Sequence, residues 1–146
     1  MHQKHSVFLI LLACLTLWVP KSFGQTQVIV HPSVQENSLS QQTLLKIYAM
    51  KQSFWSSGQK LKVFSFPPDH PTHREFTVSE FKMQPHHLTR AWNRLVYSGT
   101  GKGPVVAVNN QDMIKKVSST PGAIGYISAD IDISQLPLKK MDIYNE

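Results

Sequence analysis

Cysteine is all but absent: the 146 residues hold one, Cys14, and it lies inside an apolar run near the N-terminus. Disulfide frameworks, thiolate catalysis and cysteine-based metal sites are therefore excluded for the rest of the chain. Long apolar runs are lacking too. The only one, Val7 to Val19, is broken by Cys14 and Thr16 and falls short of the about 20 residues that a permanent membrane span needs. Acidic residues are few, 9 against 15 Lys and Arg. Asp69, Glu75 and Glu80 fall on different faces, and no serine sits in a nucleophile elbow, so no catalytic set is expected. Low-complexity segments, internal repeats and linkers are missing as well.

What is present begins with a processing signal. Lys4 and His5 precede the apolar run, and Ser22-Phe23-Gly24 supplies the small residues of a cleavage site before Gln25. Residues 1–24 are expected to be a secretory signal peptide and residues 25–146 a single exported domain of 122 residues, with no stable membrane span after processing. Leu11-Leu12-Ala13-Cys14 faintly resembles a lipoprotein box. Leu15 to Val19 stays apolar beyond it, however, where a lipidated cysteine opens a polar tether. The mature part carries a net charge of about +4, enough to suit anionic ligands and equally the ordinary needs of solubility.

The mature part alternates strand and helix patterns. Val28-Ile29-Val30 is a compact β-branched run ended by His31-Pro32. Ser38 to Gln41 offers a capping box before a helix carrying Leu44, Leu45, Ile47 and Tyr48, expected to end in the turn after Phe54-Trp55. Leu61 to Phe66 predicts a strand. Thr72 to Glu75 predicts a second capping box, before a helix that buries Phe76 and Phe81. Pro85 starts a further helix whose apolar face is Leu88, Ala91, Trp92, Leu95 and Val96. Val105 to Val108 predicts a strand, Asn109 or Asn110 caps a helix with Met113, Ile114 and Val117, and Ala123 to Ile127 and Met141 to Ile143 close the pattern. This alternation predicts an α/β fold, a mixed sheet with helices on both faces.

Several residues invite chemistry. His70, His73, His86 and His87 suggest a metal, yet Pro71 separates the first pair, and His86 and His87 point about 100° apart on a helix, so no metal is expected. Trp55 and Trp92 sit in apolar patterns and are read as core. Gly99 to Gly103 has the look of a phosphate loop but lacks its Gly-Lys-Ser/Thr ending, and Pro104 blocks a following helix. Gly99 instead predicts a left-handed helix cap. Lys and Arg are scattered, so nucleic acid is not an expected partner, and no cofactor is.

Ile47-Tyr48, Trp55 to Gly58, Phe76, Trp92 to Gly99, Pro104-Val105, Asp112 to Val117 and Pro121 to Tyr126 occur in an order and spacing that carry a resemblance. From about Leu39 to Ile127 the chain resembles the phosphate-specific solute-binding proteins of ABC importers, and more closely their short single-lobe relatives. The resemblance implies one lobe of a periplasmic clamshell and an association with phosphate or another small oxyanion. In that family an arginine after a strand and a Ser-Gly-Thr at the next helix N-terminus hold the anion, where free N–H groups and the helix dipole favour it. Here the triplet falls on His70-Pro71-Thr72 and the arginine position near Phe66. Pro71 removes a donor. The expected contacts are Thr72, with Arg74 supplying the lost charge and His70 and His73 as auxiliary donors. The competing expectation is a periplasmic protein-interaction module that docks on a sensor kinase, porin or other envelope protein and binds no solute, with Thr72 and Glu75 a plain helix cap.

Overall fold

The computed structural model describes residues 25–146; the expected signal peptide, Cys14 included, lies outside the described residues. Strand β1 (Thr26–Val30) leads to β2 (Ser38–Ser40) and helix α1 (Gln41–Tyr48). Strand β3 (Lys62–Ser65) is followed by α2 (Pro71–Phe81) and α3 (Pro85–Tyr97). Strand β4 (Val105–Val106), α4 (Asn110–Ser119), β5 (Ala123–Ser128) and β6 (Lys139–Tyr144) complete the order. The sheet runs β2-β6-β1-β5-β3-β4. It is mixed: β3 is parallel to β4 and β5, β2 is parallel to β6, and β1 is antiparallel to β5 and β6.

Adjacent residues of β5 show how both faces are covered, because successive strand side chains point opposite ways. On one side, a Cβ at Gly125 would come 2.6 Å from the Met113 sulfur and 2.9 Å from a Val117 methyl, so glycine lets α4 lie close on the sheet. On the other, the Tyr126 ring stacks on Phe76 of α2 at 3.8 Å and meets Tyr48 of α1 edge-on at 5.7 Å. Helix α3 packs outside α1, where the Trp92 indole N–H donates to the Tyr48 carbonyl at 2.7 Å. The fold class is the expected one.

Local signals set several boundaries as anticipated. The Asn109 side chain accepts from the Asp112 N–H at 2.8 Å and caps α4, Pro85 occupies the first turn of α3, and Gly99 follows α3 at φ 70°. Three expectations are corrected. Ser38–Ser40 pairs with β6 as a strand, and the cap of α1 is Ser40, which accepts from the Thr43 N–H at 3.2 Å. Helix α1 stops at Tyr48 instead of running to Trp55. The Trp55 indole N–H is drawn to the Gly122 carbonyl at 2.9 Å, and Phe54 bridges Lys60. On α3 only Leu88 and Trp92 are buried, and Val96 is 54% exposed.

Gly122 stands at φ 76°, in the left-handed region, and a Cβ there would run into the Lys60 carbonyl oxygen. Gly99 is also left-handed but faces open space. Gly99→Ala should cost about 1 kcal/mol from backbone strain alone, and Gly122→Ala more than about 2 kcal/mol because strain and a backbone clash combine. Urea denaturation of the two variants checks the difference; equal costs would show that the Lys60 contact relaxes freely.

Candidate functional site

In sheets with parallel strands, ligands collect beyond the carboxyl ends of the strands, where connections leave to opposite faces. Here β3 leaves to α2 on one face and its parallel neighbour β4 leaves to α4 on the other, with the carboxyl end of parallel β5 on the far side of β3. A groove between the start of α2 and the carboxyl end of β5 is lined by Gln25, Pro71, Thr72, Glu75, Ser128, Ala129 and Asp130.

The β3–α2 junction is built from its own residues. Phe66 is buried after the strand, and the His70 N–H donates to the Pro67 carbonyl at 3.0 Å to close the turn. His70, not Thr72, is the helix cap: its Nδ1 accepts from the Thr72 N–H at 3.2 Å, and its ring stacks on Phe66 at 4.2 Å. The expected Thr72–Glu75 capping box is therefore corrected, because Pro71 is already the first helical residue and carries Thr72 into the turn. Pro71 has no N–H. The His73 and Arg74 N–H groups both reach the His70 carbonyl, at 3.0 and 3.2 Å. The first turn of α2 thus leaves no backbone donor free for a ligand.

The four residues expected to share a ligand are split between three places. Thr72 is 5% exposed and lines the groove beside β5. Arg74 is exposed on the opposite flank, in an open groove of about 710 Å³ with Asp69, Gln84, His86 and Thr89. His70 lies between them as the cap. His73 points into the core and is fully buried.

His73 belongs to a polar network inside the apolar layer. Its Nδ1 lies 2.5 Å from the Tyr126 hydroxyl, which is 2.9 Å from the Ser65 hydroxyl and accepts the Phe66 N–H at 3.2 Å. One proton arrangement satisfies all of these contacts. His73 Nδ1–H donates to Tyr126, Tyr126 to Ser65, and Ser65 to the Phe66 carbonyl at 3.1 Å. The His73 Nε2 is left as a buried lone pair without a partner. Burial, aided by the nearby His70, lowers the His73 pKa from 6.5 to about 4, and burial raises that of Tyr126. Ser65 and Tyr126 were not anticipated as a functional pair. The available signal was a hydroxyl beside apolar residues in each strand, Ser65 after Val63-Phe64 and Tyr126 between Ile124 and Ile127.

Among the described residues no cluster of three or more His, Cys, Asp or Glu side chains is placed to hold a metal ion, and no helix is long and apolar enough to cross a membrane. His86 and His87 have ring centroids 4.3 Å apart on exposed helix surface.

The fold is shared with solved solute-binding proteins. An ABC-type phosphate transport receptor from Vibrio cholerae matches at 16% identity and TM-score 0.61, over 82% of this chain and 46% of that one. A Clostridium perfringens protein with bound phosphate, described as a candidate phosphate ABC transporter substrate-binding protein, matches at 15% identity and TM-score 0.62, over 82% and 45%. A possible phosphate binding protein from Planctomyces limnophilus matches at 17% and 0.63, over 84% and 42%. The chain thus spans a little under half the length of each, as one lobe would, and the likeness is one of fold. All three are described as transport or binding proteins. No family model and no curated protein matches the sequence.

Because His73 is held neutral in the core but regains its ordinary basicity on unfolding, the unfolded chain binds the extra proton between about pH 6.5 and about pH 4. Stability should therefore fall as pH drops through that window. In His73→Leu the dependence there should flatten, even if the variant is less stable overall. Urea midpoints recorded across the window check this; an unchanged slope in the variant would assign the acid sensitivity to other groups.

Proposed function

We propose that the chain is an exported, periplasmic solute-binding-type lobe, derived from or serving an ABC phosphate importer and associated with phosphate or another small oxyanion. The reading that it is no enzyme belongs to the same proposal. The observation that carries it is the position of the β3–α2 junction, at the carboxyl ends of parallel strands β3 and β5 in a fold shared with phosphate-type binding proteins. Around that junction Thr72 lines the groove beside β5 and Arg74 the groove on the other flank, while the His70 Nδ1 is taken by the Thr72 N–H and His73 is buried beneath. Two-lobed binding proteins close both halves around the ligand, so one lobe supplies part of the shell and binds weakly by itself. Glu75 and Asp130 on the same groove weaken the site further for an anion.

A second reading, a protein-interaction module docking on an envelope component without solute, is favoured by the closed donor set of α2 and by exposed apolar side chains. Tyr97 is 87% exposed, and Val96, Val105, Val106 and Val108 each exceed half or reach it. Titration calorimetry separates the two. The solute reading expects saturable phosphate binding with a dissociation constant on the order of millimolar. Absence of heat with phosphate, sulfate and arsenate up to that range would overturn it. The module reading expects Tyr97→Glu to abolish association with an envelope partner while leaving the melting temperature unchanged.

A further inference from the structure

We propose that a cavity at the amino end of β3 binds a small amphiphilic anion, an acidic head on a short apolar chain. It lies at the end of β3 away from the β3–α2 junction and does not depend on the solute-binding reading. Three segments wall it. Helix α1 ends at Tyr48, and Met50 turns the chain at φ 60°, in the left-handed region that a residue with a side chain rarely adopts. The turn leads to Gln52 and Ser53 in the lining, and the Ser53 carbonyl accepts the Leu61 N–H at 2.9 Å just before β3. From the other side the chain folds back over the end of α3. The Thr100 and Gly101 N–H groups both donate to the Leu95 carbonyl, at 3.1 and 3.2 Å, and Lys102 follows them into the lining.

The cavity holds about 330 Å³, the size of a small-molecule site. Its apolar part is made by Leu61 and Val63, both buried, with half-buried Met50 and Leu95. Its charged part is Lys60 and Lys102, and no acidic side chain lines it. The grooves flanking α2 differ in kind: Asp69 accompanies Arg74 in one, and Glu75 and Asp130 line the other. Among the described residues the one ion pair is Lys116–Asp112, so neither cavity lysine pairs with a carboxylate. Unbalanced positive charge beside apolar surface selects a molecule with both characters. Exposed lysines hold a bare anion weakly, because water screens the attraction. An apolar chain on the same molecule adds free energy with each methylene it removes from water. The Ser53 and Thr100 hydroxyls supply further donors for the head.

The experiment is calorimetric titration of octanoate and of octyl phosphate into the purified chain, with acetate as the head alone and octanol as the tail alone. Both octyl anions should bind saturably at one site, about tenfold or more tighter than acetate or octanol. The tighter of the two names the head group. Lys60→Gln and Lys102→Gln should each weaken binding about three- to fivefold, the loss of one exposed charge contact. Lys115→Gln removes an exposed charge on α4, outside the cavity, and should leave the affinity unchanged. Equal weakening by all three substitutions would show attraction to net charge and overturn the site. Equal affinity for octanoate and either acetate or octanol would overturn it too, as would the lack of saturable heat with both octyl anions at millimolar concentration.

Discussion

The Tyr126 hydroxyl is where strand β5, the end of β3 and the first turn of α2 are tied together. It engages the His73 ring, the Ser65 hydroxyl and the Phe66 N–H, all buried, while the face of its ring stacks on Phe76. A buried polar group left unpaired is costly, so each of these groups can be placed only where the others are. The depth and rotation of α2 on the sheet follow. Phe76 and His73, three residues apart on that helix, both have to reach the same tyrosine, and the direction in which Thr72 and Arg74 project is thereby set.

The same constraint explains the character of the junction. With His73 drawn inward and Phe66 buried at the strand end, His70 is left over Phe66, near enough to cap the helix with its own ring. Proline at the first helical position and a histidine at the cap make a stable helix start by internal means. The backbone donors of the first turn are thereby engaged within the chain itself, in a fold that spans under half the length of each solved structure it matches.

Several features were legible from short-range patterns because their physics is short-range. Asn109 caps α4 through a side chain that reaches three residues ahead, Gly99 adopts the left-handed conformation that ends α3, and Pro85 begins a helix where its missing N–H is harmless. Each depends on the conformational cost of a few consecutive residues. The Thr72 cap failed by the same logic. Thr72 and Glu75 have the right spacing for a capping box, but a histidine two residues earlier gains both an N–H and an aromatic stack, and the stack partner lies across the turn.

The alternation of strands and helices, the Asn109 cap and the Gly99 stop were determined by the amino-acid sequence itself, since backbone preference and apolar periodicity act locally. The tertiary structure alone decided the order β2-β6-β1-β5-β3-β4, the recruitment of Ser38–Ser40 as a strand, and the burial of His73, which was expected as an auxiliary ligand donor. His73 and Tyr126 are 53 residues apart, and Trp55 and Gly122 are 67 apart. Partners so distant are chosen by which faces the packed layers bring together, and no window of neighbouring residues carries that information.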